Sequence, residues 1–150
     1  MRTFAHLADL AALQGQEIGA SDWTTVTQSS IDLFAQATGD AQWIHVDPAR
    51  AAAGPFGTTV AHGFLTLSML SEMFAASIAF ADVRMSLNYG LNRVRFPSPV
   101  PVDSRLRAVC VLDMFEPIPG GAQLTVTVTI EREGGAKPAC VAEWVTRHLV

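Results

Sequence analysis

Charge is what this sequence has least of. Asp, Glu, Lys and Arg make up 16% of its 150 residues, against roughly 25% in an average soluble domain. The formal charge is −4, with 10 Lys and Arg against 14 Asp and Glu, so the chain as a whole lacks the basic footprint of a nucleic-acid or anionic-membrane binder. Cysteine is scarce as well. Cys110 and Cys140 stand in apolar, strand-like contexts without C-x-x-C spacing or nearby histidines. They read as small core residues in a reducing compartment rather than as a disulfide or zinc framework. No stretch looks like a membrane span. The longest uncharged run, Ala51 to Ser71, holds Gly54, Pro55, Gly57, Thr58, Thr59 and His62 before its continuous apolar part begins at Phe64, a mixture no lipid-facing helix would concentrate. Nor does the N-terminus look like a secretory leader, since His6 and Asp9 interrupt the segment that would have to be apolar. A cytoplasmic protein is expected. What is abundant is apolar residues, 49% of the total, which excludes disorder and suits one compact domain over 1–150.

Hydrophobic periodicity divides the chain. Phe4, Leu7, Leu10 and Leu13 carry a weak helical pattern stopped by Gly15, and Trp23 to Thr27 is β-rich. A capped helix is expected over about 29–38, with Gly39 ending it. The segment from Gly39 to Thr59 loses periodicity except for a helical scrap at Pro48–Ala53, and a long irregular stretch inside a compact domain is usually functional. From Gly63 to Phe80 almost every position is apolar and Glu72 is the only charge, which predicts a helix buried on nearly all sides. Alternating strands follow: Met85 to Phe96 with a bulge near Asn92, Leu106 to Met114, Leu124 to Ile130, and Ala139 to Leu149. Gly120-Gly121 and Gly134-Gly135 mark turns, so the C-terminal half reads as an antiparallel meander. The fold class is α+β, one antiparallel sheet wrapped around one apolar helix. Such a sheet covers the helix on one side only, and a second copy is the natural way to extend the sheet and cover the rest.

The irregular segment contains Gly39-Asp40-Ala41-Gln42-Trp43-Ile44-His45. A carboxylate and an imidazole held together can share general acid and base roles; the plainer reading makes Asp40 an Asx turn and His45 a packed loop histidine. Ala61-His62-Gly63 opens the apolar helix, where free backbone N–H groups and the helix dipole could form an oxyanion hole. Equally, Gly63 is small because the helix start is crowded, and His62 caps or packs there. Arg84, Arg93, Arg95, Arg105 and Arg107, five of nine arginines, fall within 24 residues that contain one acid, Asp103. They suit the phosphates of a nucleotide-bearing carrier, or else solvated strand faces. There is no Gly-rich phosphate loop, H-E-x-x-H or G-x-S-x-G, and no cysteine nucleophile with a base.

On these residues the sequence resembles the MaoC-like dehydratases, the (R)-specific enoyl-CoA hydratases of the hot-dog fold. Phe34-Ala35-Gln36-Ala37-Thr38-Gly39-Asp40, then His45 and Ala51, look like the hydratase motif. Pro55-Phe56-Gly57, Val60 to Leu65, Asn88 to Asn92, Val94 to Val100 and Pro138 to Glu143 look like the nodulation-protein-N-like branch. Many members have Asn-Pro two and three residues after the motif aspartate, where this chain has Gln42-Trp43. The resemblance implies that Asp40 and His45 hold and activate a water while the Gly63 amide bonds a thioester carbonyl. It adds Phe56, His62, Ser71, Asn88, Arg93 and Arg95 as substrate-binding candidates. No metal and no separate cofactor are implied, coenzyme A being part of the substrate. The implied reaction is reversible syn addition of water to a trans-2-enoyl-CoA, giving an (R)-3-hydroxyacyl-CoA. Its rivals are a dehydratase acting on acyl-carrier protein, an acyl-CoA thioesterase, and a non-catalytic acyl-CoA-binding subunit. The deficit of charge then acquires a reading: apolar surface hidden by a wrapped helix, an acyl tunnel and a homodimer interface.

Overall fold

The computed structural model describes residues 1–150. Short elements come first: β1 (Arg2–Phe4), a 3-10 turn at Leu7–Leu13, β2 (Glu17–Ala20) and β3 (Thr24–Thr25). Helices α1 (Gln28–Thr38), α2 (Trp43–Val46), α3 (Pro48–Ala52), α4 (Gly63–Ser68) and α5 (Leu70–Ser77) follow, then β4 (Ile78–Phe80), β5 (Met85–Arg95), β6 (Arg105–Ile118), β7 (Gly121–Arg132) and β8 (Cys140–Leu149). The main sheet runs β2-β6-β7-β8-β5, with β3 also on β6, and all its pairings are antiparallel. β1 and β4 pair in parallel as a separate ribbon.

Alternation explains the sheet. On β7, Leu124, Val126, Val128 and Ile130 are fully buried, joined by Leu106, Ala108, Cys110 and Leu112 of β6 and by Cys140, Ala142 and Trp144 of β8. That inner face packs on Leu70, Met73 and Phe74 of α5, with Phe74 edge-on to Trp144 at 5.3 Å. Both cysteines are free and buried, as expected, and desolvation pushes their thiols up to about 12 and about 11.

Three expectations are corrected. The helix begins at Gly63 as predicted but ends at Ser77, because Ile78–Phe80 leaves to pair with β1. It is not buried all round: Phe64 is 68% exposed and Glu72, Ala75 and Ala76 are exposed. The meander holds for β6 to β8 only, since β5 pairs with β8 rather than with its sequence neighbour β6. The bulge between Leu91 and Arg93 falls where expected, and a second register shift lies between Asn88 and Gly90. No helix is long and apolar enough to cross a membrane.

Candidate active site

Three short devices bring Asp40 and His45 together. Thr27 caps α1 by accepting from the Ser30 N–H, and Gly39 ends it with φ +80°, a left-handed conformation that turns the chain sharply into Asp40. Trp43 then anchors α2, its ring lying under the Arg50 guanidinium at 4.5 Å. A Cβ on Gly54 would come within 2.9 Å of that ring, so glycine there admits the tryptophan. Gln28 is the third device. It donates to the backbone carbonyl of His45 at 2.8 Å and accepts from the Thr59 hydroxyl at 2.6 Å, tying the start of α1 to α2 and to the strand-like segment at Val60.

His45 is buried, and its Nδ1 lies 2.6 Å from the Val60 carbonyl oxygen. A carbonyl can only accept, so the Nδ1 atom carries the proton and Nε2 keeps its lone pair. Burial holds the His45 pKa below the usual imidazole value; the Val60 bond works against this, His62 adds to it and Asp40 opposes it. His45 is therefore a neutral imidazole with one fixed tautomer. His62 stacks on it, ring centroids 3.8 Å apart, and Phe34 flanks His62 from 5.0 Å. His62 Nε2 donates to the backbone carbonyl of Asp40 at 2.9 Å, which pins the peptide that carries the carboxylate. The potential ligand atoms of Asp40, His45 and His62 all lie within 4.8 Å of one another. Two histidines and one carboxylate also make a metal-ligand set. One nitrogen of each ring is already committed, His45 Nδ1 to the Val60 carbonyl and His62 Nε2 to the Asp40 carbonyl, so an ion could be held only through the remaining two.

His62 is the residue before α4. The Thr66 N–H is the first to bond back, to the His62 carbonyl, which leaves the N–H groups of Gly63, Phe64 and Leu65 without helical partners. A Cβ at Gly63 would stand 3.2 Å from the Phe96 ring. Crowding therefore does act at Gly63, alongside the free amide that the oxyanion reading needs.

The other candidates separate. Ser71 and Asn88 meet, with Asn88 Nδ2 donating to Ser71 Oγ at 3.4 Å, and both line cavities between the helix and β5. Phe56 is exposed in the turn after α3. Arg93 and Arg95 line a different cavity, with Thr127, Val141 and Glu143, on the sheet face away from the buried residues of β8. The five-arginine cluster does not exist in space: β7 and β8 separate the arginines of β5 from those of β6, and Arg105 and Arg107 are paired with Glu133 and Glu131 at 2.9 and 2.8 Å. Sequence reasoning missed Gln28 and the Val60 carbonyl. Neither has a signal, because one acts through an amide at long range and the other through its backbone.

Such an antiparallel sheet wrapped on one helix is the hot-dog architecture. The chain belongs to the MaoC-like family: the model of the MaoC like domain matches residues 9–133. It is 57% identical over 150 residues to 3-hydroxyacyl-thioester dehydratase Z of Mycobacterium tuberculosis, covering 99% of both chains. It is 51% identical over 144 residues to nodulation protein N of Rhizobium leguminosarum bv. viciae, covering 93% of this chain and 89% of that one. Among solved structures, the unliganded R-hydratase PhaJ1 of Pseudomonas aeruginosa superposes with a TM-score of 0.74 at 22% identity, covering 91% of this chain and 81% of that one. The (R)-hydratase from A. caviae gives 0.71 at 24%, covering 89% and 94%. At these identities the structural matches speak for the fold.

Proposed function

We propose that the protein is an (R)-specific hydratase of trans-2-enoyl-CoA thioesters, working reversibly as a 3-hydroxyacyl-CoA dehydratase. The observation that carries the reading is the bond from His45 Nδ1 to the Val60 carbonyl, which leaves the Nε2 lone pair free, in a ring that has a nitrogen within 4.8 Å of the Asp40 carboxylate. A water between the two would give one hydrogen to each. Its oxygen attacks the β-carbon as His45 takes the proton, and the π electrons move onto the thioester oxygen, where the Gly63 N–H stabilises the charge. Protonated His45, stabilised by the Asp40 charge, returns the proton to the α-carbon on the same face. Water has then added syn and both residues are reset.

The acyl chain would follow the helix. Phe96 covers Gly63, Asn88 meets Ser71, and β5 runs antiparallel to α4 and α5; a cavity of about 320 Å³ lies along Leu67 to Ser71 and one of about 430 Å³ continues from Ser71 to Phe80, both in the size range of small-ligand sites. A homodimer completes the proposal. β5 is an 11-residue edge strand whose residues are nearly all exposed, with Met85, Leu87, Tyr89 and Leu91 among them, and a second copy adding to that edge would cover it. Assaying (R)-3-hydroxyacyl-CoA formation from enoyl-CoAs of increasing length tests reaction class, stereochemistry and tunnel depth together. Release of free thiol in place of hydration would instead support the thioesterase.

A further inference from the structure

The cavity beside α5 has apolar walls and two polar groups, the Ser71–Asn88 pair at one end and a cluster around His148. Phe74, Ile78, Phe80, Val83, Leu87 and Trp144 line it, and so do Ser86, Thr146 and His148. His148 is 2% exposed and lies between two hydroxyls, with Ser86 Oγ 2.8 Å from Nδ1 and Thr146 Oγ1 2.9 Å from Nε2. The direction of these bonds follows from burial. Thr146 is 1% exposed and its hydroxyl has no other partner, so its proton must go to Nε2 to avoid a buried unsatisfied donor. Nε2 then accepts, Nδ1 carries the ring proton, and that proton is donated to Ser86 Oγ. Ser86 lines the cavity and makes no other side-chain hydrogen bond within the chain. Its own O–H is left free, strengthened by a chain of bonds that all point the same way.

This cavity adjoins the one beside Leu67 to Ser71, and the helix that starts at Gly63 runs past both. The two cavities have Ser71, Asn88 and Trp144 in common, and Gly63 to Ala75 spans about 18 Å of helix. An oxygen bonded by Ser86 would therefore lie far along an acyl chain from its thioester. Desolvation by burial takes the His148 pKa down to about 4, so the ring stays neutral and the direction of the bonds holds at neutral pH.

We propose that Ser86, oriented through His148 and Thr146, is a specificity-determining residue that donates a hydrogen bond to a hydroxyl or keto oxygen on the distal part of the acyl chain. The substrate class is thus an oxygenated long-chain enoyl thioester. This rests on the hydratase reading and extends it. The test compares kcat/KM for straight-chain trans-2-enoyl-CoAs, from octenoyl to hexadecenoyl, with that for their ω-hydroxy counterparts, in the wild type and in Ser86→Ala. At the chain length that reaches Ser86, the ratio of hydroxylated to plain substrate should fall about 3- to 10-fold in the variant, the loss of one neutral hydrogen bond. Crotonyl-CoA, too short to reach Ser86, should be hydrated equally by both proteins. Turnover of the plain series with an unchanged ratio at every length overturns the Ser86 assignment alone. Failure of the wild type to hydrate any enoyl-CoA overturns the hydratase reading, and the Ser86 assignment with it.

Discussion

His45 can act as a base because its ring has only one free nitrogen. The Val60 carbonyl takes the Nδ1 proton, burial keeps the imidazole neutral, and the stacked His62 opposes a second charge next to it. A base that must be neutral works above its pKa. Since that pKa is lowered from 6.5, kcat/KM should rise with pH through an inflection below 6.5 and be level near neutrality. A pH profile with its acidic limb above 6.5 would contradict the assignment. His148 obeys the same physics with a different consequence. Its unfolded value is 6.5 and its folded value about 4, so between these the unfolded chain binds the proton that the folded one refuses. The stability tied to His148 is thus full above pH 6.5 and withdrawn as pH falls to about 4, at most about 3 kcal/mol. His45 contributes in the same direction. Denaturant midpoints measured from pH 7 to 4 should fall with acid, and less steeply in His148→Gln.

Between Asp40 and α1 stands a single conformational requirement. Gly39 has φ +80° with nothing within 4 Å of where a Cβ would be, so Gly39→Ala tests backbone strain without a clash. It should cost roughly 1–2 kcal/mol, seen as a lower denaturant midpoint, and it should reduce kcat/KM in the folded protein because the turn that aims Asp40 is relaxed. This element could be read from the sequence: the Gly-Asp step after an amphipathic run marks both the helix stop and the start of the site. So could the start of the central helix and the two buried cysteines. Its end could not, since Ile78 and Phe80 continue the apolar pattern and only pairing with β1 takes them out of the helix. The arginines misled for the same reason. Nearness in sequence across Arg84 to Arg107 says nothing of a topology that sets β7 and β8 between β5 and β6. His62 was visible as a helix-start residue and, through the resemblance, as a substrate-binding candidate, but not as the residue that holds the Asp40 peptide. Its bond to the Asp40 carbonyl depends on how the overhanging segment folds back.

At the scale of the molecule, the proposed homodimer would account for both the shortage of charge and the exposed apolar β5 edge. A monomer would leave Tyr89, 58% exposed, and its neighbours on an unprotected strand. The protein should sediment at about twice 16.1 kDa, and Leu87→Glu combined with Leu91→Glu should shift it toward monomer. A strict monomer in the wild type would leave the edge and the composition unexplained. The most direct test is nevertheless chemical: crotonyl-CoA hydration by the wild type, Asp40→Asn and His45→Gln, with circular dichroism confirming that each is folded. The wild type should form (R)-3-hydroxybutyryl-CoA and each variant should lose at least about 100-fold in kcat/KM. Near-normal turnover in both folded variants would contradict the catalytic roles of Asp40 and His45, and the (S) product from the wild type would contradict the proposed (R) face of addition.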